Sequence, residues 1–232
     1  MKNIAIVTGG GTGLGYYLAE EVLKKGMEVC IIGRRESKLK EAQEKLSDKY
    51  GDNIQYIAGD ISDEIFVKEV FAQLAKEEKY VQYLFNCAGT GKFGPAQENT
   101  RAMIDVAFDA SLIGLILMSS TAMAYMKEEG GVIVNVMSTA ALRGKPNESV
   151  YCAAKWGARG FTEAIREASK GTKIKVIGAY PGGMNTDFWS PECGATLDAS
   201  KFMNPSDVAD VIMHAVWDRE NMYVSDITID RK

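Results

Sequence analysis

The fold is decided by the stretch TGGGTGLG at residues 8–15, which follows the short apolar run IAIV at residues 4–7. Glycines let the backbone turn tightly and approach a ligand, and a helix that begins here directs its first N–H groups at bound phosphate. Strand, turn and helix together predict a dinucleotide-binding site, with an ordinary glycine-rich turn as the alternative. The spacing is TGxxxGxG and differs from the common GxGxxG fingerprint.

Short apolar runs alternate with amphipathic, helix-length stretches along the rest of the chain, which favours a parallel sheet. Most of these runs are apolar throughout, so helices are expected on both faces of the sheet. We predict an α/β fold with a Rossmann-type, doubly wound and mostly parallel seven-stranded sheet, in a single domain over residues 1–232. The predicted strands are residues 4–7, 29–32, 54–57, 83–85, 132–136, 174–177 and 223–229, and the predicted helices are residues 16–25, 38–49, 64–78, 103–127, 150–169 and 206–217.

Composition excludes several classes of protein. The 232 residues are 46% hydrophobic and carry a net charge of -4, which predicts one buried core and no basic surface for nucleic acid or anionic membrane. The four cysteines form no CxxC pair, so we expect reduced thiols in a cytoplasmic protein, without a metal site or a disulfide framework. The apolar segment at residues 112–118 contains Gly114 and is predicted to be a core helix, not a membrane span.

The chain has a single histidine, His214, within an apolar helical stretch. This count excludes multi-histidine zinc and iron sites, and any Ser-His-Asp triad that does not include His214. A histidine without a patterned partner is usually structural. If the protein is an enzyme, a side chain other than imidazole must move its protons.

Four further motifs occur in an order that resembles the short-chain dehydrogenase/reductase family, and the resemblance covers essentially the whole chain. A YxxxK pair alone is expected about once by chance in a chain of this composition. Here the pair begins a helix and follows a serine at the end of a strand, which makes it informative. The motifs are Asn86-Cys87-Ala88-Gly89, Ser138, Tyr151-Cys152-Ala153-Ala154-Lys155 and Pro181-Gly182-Gly183-Met184-Asn185-Thr186.

The resemblance implies a catalytic site built on Ser138, Tyr151 and Lys155. Tyr151 is the expected general acid or base, Lys155 is expected to lower its pKa and to contact the nicotinamide ribose, and Ser138 is expected to polarise the substrate oxygen. Ser111 stands where the family has an asparagine; it is expected to act through its main-chain carbonyl, and the alternative is that the substitution marks a slow or repurposed enzyme. The ordinary alternatives are a surface lysine, a strand-end cap and a core phenol.

The end of the second predicted strand bears on the choice of cofactor. Gly33 stands where the family's NAD enzymes have an aspartate, and Arg34 and Arg35 follow it. Guanidinium groups pair well with a ribose 2'-phosphate, so we predict NADP(H) in preference to NAD(H), with two turn-capping arginines as the alternative. The residues expected to contact the cofactor are Thr8, Gly9, Gly11, Thr12, Gly13, Leu14, Gly15, Arg34, Arg35, Asp60, Ile61, Asn86, Ala88, Gly89, Tyr151, Lys155, Pro181, Gly182 and Thr186.

Residues 183–204 have no steady period and occupy the position of the family's substrate lid. Long aperiodic segments in compact domains are usually functional. Five apolar side chains of this segment are expected either to line a substrate pocket or to pack against the core. They are Met184, Phe188, Trp189, Phe202 and Met203.

The resemblance implies an NADP(H)-dependent oxidoreductase that transfers hydride between nicotinamide and the carbonyl or secondary alcohol of a small molecule. The alternative is a dinucleotide-binding sensor or scaffold with little or no catalysis, since fold alone does not establish activity. A homodimer or homotetramer is also implied, formed through the helices that begin near Met103 and Val150. Small residues on the second of these helices would permit close packing between subunits or within one.

Overall fold

Seven parallel strands form a single sheet in this computed structural model, which describes residues 2–190, 193–194, 197–217 and 222–232. The strand order is β3-β2-β1-β4-β5-β6-β7, and every neighbouring pair is parallel. The strands are β1 (Lys2–Thr8), β2 (Glu28–Gly33), β3 (Ile54–Ala58), β4 (Lys79–Asn86), β5 (Gly131–Val136), β6 (Ile174–Pro181) and β7 (Asp226–Ile229). The α-helices are α1 (Gly13–Lys24), α2 (Glu36–Tyr50), α3 (Glu64–Lys76), α4 (Arg101–Phe108), α5 (Gly114–Tyr125), α6 (Ser149–Ala168) and α7 (Pro205–Val216).

Alternate residues of the central strands pack against helices on opposite faces of the sheet. In β1, Ile4 and Ile6 belong to the core shared with α3 and α5, whereas Ala5 and Val7 belong to the core shared with α1, α2 and α7. All four are fully buried. Burial on both faces explains why the strands have continuous apolar runs, and the predicted doubly wound fold is confirmed.

The carboxyl ends of the central strands meet along one edge of the sheet. Thr8 of β1 pairs with Ile32 of β2 on one side and with Asn86 of β4 on the other. The strands that follow β1 in the chain, β2 and β3, therefore lie on one side of it, and β4 and the later strands lie on the other. Ligands of open α/β sheets bind in the crevice at such a switch point.

A chain of buried amides and hydroxyls connects β4, β5 and α6. The Nδ2 atom of Asn86 donates to Oδ1 of Asn135 at 2.8 Å, and Nδ2 of Asn135 donates to Oγ1 of Thr162 at 2.9 Å. These side chains are at most 2% exposed. Buried polar groups that are hydrogen-bonded in this way stabilise one relative placement of the elements they join. The position of α6 against the sheet is therefore well defined.

The predicted helix over residues 103–127 is present as one continuous helical segment, Arg101–Tyr125, but it is not α-helical throughout. The structure has α4 and α5, separated by a π-helical turn at Asp109–Ile113. Such turns are frequent at functional sites. By length and composition the segment Arg101–Tyr125 is sufficient to cross a membrane, but Ala107, Met118 and Ala122 are fully buried within the domain. One face of this helix therefore packs into the core of the domain. The last strand is also shorter than predicted and begins at Asp226.

Candidate active site

A cavity of about 530 Å³ opens at the carboxyl edge of the sheet, between β1 and β4. Its volume lies within the range of small-molecule sites in proteins, about 300–1,000 Å³. The residues around it come from nearly every loop at this edge. Of the predicted site residues, those that line it are Gly9, Gly11, Thr12, Gly13, Leu14, Gly15, Arg34, Arg35, Asp60, Ile61, Ala88, Gly89, Ser138, Tyr151, Lys155, Pro181, Gly182 and Thr186.

The glycine-rich turn forms one wall of this cavity. Gly9 has a φ of +69° and Gly13 a φ of +56°, in the region that favours glycine. A Cβ on Gly15 would lie 2.4 Å from the carbonyl oxygen of Gly9, so the turn and the first turn of α1 approach too closely for a side chain. These requirements explain the TGxxxGxG spacing. They leave bare backbone and the amino end of α1 at the cavity wall.

Thr8 and Asn86 do not line the cavity; both are buried behind its wall. The hydroxyl of Thr8 accepts hydrogen bonds from the backbone N–H groups of Cys87 at 3.0 Å and Ala88 at 3.1 Å. Asn86 belongs to the buried polar chain described above. The two residues thus hold the loop after β4 in place, and any effect they have on a ligand passes through their neighbours.

Basic side chains gather at the end of the cavity next to β2. Arg34 and Arg35 line it, and so does Lys38 from the first turn of α2. Asp60 lies close enough to Arg34 for the guanidinium charge to lower the pKa of its carboxyl group. Burial tends to raise the pKa of Asp60, but hydrogen bonds from Ser62 and the charge of Arg34 outweigh this and lower it. Lys38 also forms a salt bridge with Glu41 at 2.9 Å, so the positive charge of this corner comes chiefly from Arg34 and Arg35.

Ser138, Tyr151 and Lys155 lie together at the opposite end of the cavity. Ser138 follows β5, and the other two residues lie one turn apart in α6, with their exposed fractions all at or below 8%. The Ser138 hydroxyl lies close enough to the Tyr151 side chain to lower the pKa of that phenol. The Nζ atom of Lys155 lies 5.8 Å from the centre of the Tyr151 ring. The predicted proximity of these three residues is therefore present in the structure.

Burial dominates the protonation of this group. It raises the pKa of Tyr151 above its ordinary value, and the nearby Ser138 hydroxyl only partly offsets this. Burial also lowers the pKa of Lys155 to about 8. The net shift of the Tyr151 pKa is therefore opposite to the one expected from Lys155, because burying a phenolate is costly. Tyr151 is thus a protonated phenol at neutral pH.

Ser111 lies beneath the catalytic group, in the π-helical turn between α4 and α5. Its hydroxyl donates to the carbonyl oxygen of Thr90 at 3.1 Å and accepts from the Thr90 N–H at 3.3 Å. A Cβ on Gly89 would lie 3.4 Å from both the Ser111 Oγ and the Lys155 Nζ atoms. Ser111 is fully buried and does not line the cavity. The structure therefore places it next to Lys155, behind the loop after β4.

Aromatic rings surround Tyr151 on the substrate side. The ring centres of Phe93 and Phe188 lie 5.7 Å and 5.5 Å from that of Tyr151, and the Phe93 centre lies 5.6 Å from that of Trp189. Phe188 and Trp189 are in the predicted lid and line the cavity together with Met184. These contacts make the wall around the Tyr151 hydroxyl largely apolar.

Comparison with known proteins identifies the family. The model of the family described as short chain dehydrogenase matches residues 3–193. The chain is 32% identical to human 3-oxoacyl-[acyl-carrier-protein] reductase over 189 residues, which are 81% of this chain and 78% of that protein. It is 27% identical to the NADP-dependent 3-hydroxy acid dehydrogenase of Schizosaccharomyces pombe, over 97% of this chain and 90% of that one. The solved structure of a short-chain dehydrogenase/reductase from Vibrio parahaemolyticus superposes with a TM-score of 0.85 at 35% identity, covering 98% and 96% of the two chains.

The chain belongs to the short-chain dehydrogenase family. The family resemblance inferred from the motifs is thereby confirmed, and the fold matches across nearly the whole chain.

The sequence of this short-chain dehydrogenase did not indicate every residue of the cavity wall. Lys38 was not among the predicted cofactor contacts, although its position one helical turn after Arg34 and Arg35 would have placed it beside them. Phe93, which packs on the Tyr151 ring but does not itself line the cavity, comes from an irregular loop and has no pattern that would indicate a role. Lys145 and Glu148 lie just before α6 and also line the cavity. Two charged residues so close before the YxxxK pair could have indicated that they lie at the site.

Two of the five predicted lid side chains take the alternative role of packing. Phe202 does not line the cavity but contacts the ring of Trp189, with the ring centres 5.4 Å apart. Met203 forms a β-bridge with Met184 and packs against the core. Residues 191–192 and 195–196 of the predicted lid lie outside the described residues; among the others, Met184, Phe188 and Trp189 line the cavity, and Phe202 and Met203 pack behind them.

The small residues of α6 pack partly within the subunit. A Cβ on Gly157 would lie 3.0 Å from a methyl carbon of Leu112 in the π-helical turn. Ala154 and Ala158 are fully buried, whereas Ala153 and Gly160 are exposed. Close approach of α6 to the π-helical turn is therefore one reason for these small side chains.

Proposed function

We propose that this short-chain dehydrogenase is an NADP(H)-dependent oxidoreductase that interconverts the carbonyl and secondary alcohol groups of a small molecule. The observation that carries the proposal is the presence of buried Ser138, Tyr151 and Lys155 side chains in the same cavity as the glycine-rich turn. A dinucleotide-binding scaffold without catalysis would have no need for this buried group. Catalysis therefore accounts for the site better than binding alone.

The residues of the cavity fit a phosphorylated dinucleotide. The bare backbone of residues 9–15 and the amino end of α1 offer N–H groups and a positive dipole to a pyrophosphate. Arg34 and Arg35 provide the cations that a ribose 2'-phosphate requires, with Lys38 beside them in a salt bridge with Glu41, and no carboxylate stands at Gly33 to repel the phosphate. The fission yeast relative is an NADP-dependent 3-hydroxy acid dehydrogenase, which agrees with this preference.

At the other end of the cavity, Pro181, Gly182 and Thr186 would hold the nicotinamide. Lys155 would donate to the ribose hydroxyls, since its ammonium faces the cavity beside Gly89. Bound NADPH would supply the hydride that reduces the carbonyl carbon. The remaining chemistry is a proton transfer to the carbonyl oxygen, which the side chains of this chain perform.

Ser138 and Tyr151 would both bind the carbonyl oxygen of the substrate. Ser138 donates a hydrogen bond that polarises the carbonyl group. Tyr151 is protonated at neutral pH because burial raises its pKa, so it delivers its proton as negative charge develops on the oxygen. The ammonium of Lys155 then stabilises the phenolate that remains. In the oxidation direction the same groups act in reverse, with Tyr151 as the base.

We also propose a homodimer or homotetramer in the cytoplasm, without nucleic-acid or membrane partners. Ile113, Tyr125 and Trp156 are 40%, 42% and 48% exposed on the segments that include the π-helical turn, α5 and α6. Large exposed apolar side chains favour burial against a partner. Sedimentation velocity at micromolar concentration tests the assembly, and a single monomeric species would contradict it.

The activity is tested by following NADPH oxidation with a panel of aldehydes, ketones, quinones and diketones. We expect turnover of at least one class, with the alcohol identified as the product, and faster reaction with NADPH than with NADH. Absence of turnover on every class, in a protein that still binds NADPH, would favour the scaffold alternative.

A further inference from the structure

Phe93 lies between the lid and Tyr151, in the loop that follows β4. Its ring centre lies 5.7 Å from that of Tyr151, with the two ring planes at 87°. The same ring centre lies 5.8 Å from that of Phe188 and 5.6 Å from that of Trp189, both in the lid. Aromatic pairs at such distances and angles stabilise the arrangement in which they form. The Phe93 ring is thus in contact with both the lid and the Tyr151 ring.

The main chain of Phe93 also contacts the lid. Its N–H group donates a hydrogen bond to the carbonyl oxygen of Cys193 at 2.7 Å. Gly194, the next residue of the lid, has a φ of +80°, and a Cβ there would lie 2.5 Å from the Phe93 carbonyl oxygen. Glycine permits both this backbone conformation and this close approach. The backbone of the lid therefore rests directly against that of Phe93.

The same loop is joined to the start of α6. The N–H group of Gly94 donates a hydrogen bond to the carbonyl oxygen of Asn147 at 2.8 Å, two residues before α6 begins at Ser149. Phe93 and Gly94 therefore connect the lid on one side with the helix that carries Tyr151 on the other.

Phe93 and the lid together cover a small buried cluster that includes Tyr151. The cluster consists of Ala140, Tyr151 and Cys152, of which the last two are each 7% exposed. Phe93 packs against it from the loop after β4, and Phe188 packs against it from the lid. Both segments must be in place for the cluster to be covered, so displacement of the lid would open it to water.

We propose that Phe93 is a positioning residue that couples the lid to Tyr151. With the lid in place, contacts through Phe93 hold the Tyr151 ring and keep water from it. With the lid displaced, Phe93 loses its support and the Tyr151 ring is released. Coupling of this kind is carried by packed side chains that have two arrangements. The kinetic consequence rests on the proposed function, because Tyr151 transfers the proton, whereas the coupling itself does not.

The reactivity of the Cys152 thiol tests the coupling without turnover. Alkylation by N-ethylmaleimide in the presence of NADPH, followed by peptide mass spectrometry, reports how often the cluster is uncovered. Gly194→Ala, which displaces the lid backbone from Phe93, should raise the alkylation rate of Cys152 about two- to tenfold, the range for losing an aromatic contact. Phe93→Leu should have an effect of the same size. The rate at Cys30, which is fully buried in β2, should stay at its wild-type value.

Two matched variants control for strain and for loss of a ring. Gly171 has a φ of +78°, but a Cβ there would meet no atom within 4 Å, so Gly171→Ala carries the backbone strain without the collision. Phe161→Leu removes the ring of a partly buried phenylalanine that packs against a different cluster. Neither variant should change the alkylation rate of Cys152.

The double variant shows whether the lid acts through Phe93. If it does, Phe93→Leu combined with Gly194→Ala should raise the Cys152 rate no further than the more affected single variant, because both remove the same connection. An increase equal to the product of the two single increases would overturn the proposal. So would a Gly194→Ala protein in which Cys152 reacts as slowly as in wild type.

Kinetics test the consequence for proton transfer. In Phe93→Leu, kcat for ketone reduction should fall about two- to tenfold, while the Kd for NADPH stays unchanged because Phe93 does not line the cavity. Phe161→Leu should change neither quantity. Weaker NADPH binding with an unchanged kcat would overturn the positioning role. Absence of turnover in the wild-type protein would contradict the proposed function instead, and the alkylation of Cys152 would still decide the coupling.

Discussion

The Nζ atom of Lys155 donates a hydrogen bond to the carbonyl oxygen of Val136 at 3.1 Å. This contact ties the start of α6 to the last residue of β5, two positions before Ser138. The ammonium is thereby held at the floor of the cavity, although burial lowers its pKa to about 8. The charge of this lysine is therefore sensitive to pH in a range where most lysines stay protonated.

The first prediction concerns the pH dependence of carbonyl reduction. Below a pH of about 8 Lys155 is protonated, and above it the charge is lost, so kcat/KM for NADPH-dependent reduction should fall as pH rises through about 8. Tyr151 remains a protonated acid over this range because its pKa is raised. Steady-state kinetics across the neutral and alkaline range measures the profile. A profile that stays flat through this point would contradict the role of Lys155.

The control for this profile is the single histidine. His214 is exposed on α7, with its Nδ1 atom 2.9 Å from the carbonyl oxygen of Asp210, and it does not line the cavity. His214→Gln should leave the profile unchanged, because no proton in the mechanism passes through an imidazole.

The second prediction concerns cofactor preference. Arg34→Ser should raise the KM for NADPH by about tenfold to a hundredfold, the range for losing a charge-assisted hydrogen bond, and leave the KM for NADH nearly unchanged. Arg101→Ser removes an exposed arginine that pairs with Asp105 and serves as the matched control. Equal kcat/KM for NADH and NADPH in the wild-type enzyme would show that Arg34 and Arg35 do not select a cofactor with a 2'-phosphate.

The third prediction concerns Ser111. Ser111→Asn restores the residue type expected for the family in a buried π-helical turn, where the main-chain carbonyl is the same for both side chains. The longer amide would lie near Gly89 and Lys155. We expect kcat to be preserved or raised, measured alongside the circular dichroism spectrum. A large fall in kcat with an unchanged spectrum would exclude Ser111 as a tolerated member of the catalytic group.

The fourth prediction concerns the tight turn. In Gly15→Ala the new Cβ would lie 2.4 Å from the Gly9 carbonyl oxygen, so the backbone must shift. We expect a loss of about 1–3 kcal/mol in the free energy of unfolding, the range for overpacking, together with weaker NADPH binding. Chemical denaturation and fluorescence titration measure the two effects. Gly144→Ala, where a Cβ would meet no atom within 4 Å, is the control and should change neither.

The sheet was predictable because its strands are short apolar runs with helices between them. Buried parallel strands have this pattern whatever their neighbours, and the glycine-rich turn after β1 indicated where the ligand cavity opens. The π-helical turn between α4 and α5 was not predictable from periodicity. A π-helical turn adds a residue without interrupting an apolar segment, so residues 103–127 read as one helix.

The residues that surround the site were predictable only where a motif includes them. A recognisable motif order includes Ser138, Tyr151 and Lys155. Irregular loops, which have no sequence pattern, position Phe93 and Glu148. The direction of the Tyr151 pKa shift was also not predictable from the sequence. Spacing places Lys155 one turn away, but the cost of burying the phenolate depends on rings contributed from distant segments.

The central claim is that Tyr151 is the proton donor in carbonyl reduction. Single-turnover oxidation of NADPH by a reducible ketone, followed in the wild-type, Tyr151→Phe and Tyr125→Phe proteins, tests it most directly. Tyr125 is 42% exposed on α5 and provides the same loss of a hydroxyl outside the cavity. We predict that Tyr151→Phe binds NADPH normally but oxidises it at least about a hundredfold more slowly than wild type, which is the lower end of the contribution of general acid catalysis. Tyr125→Phe should react like wild type. Oxidation by Tyr151→Phe at the wild-type rate would contradict it.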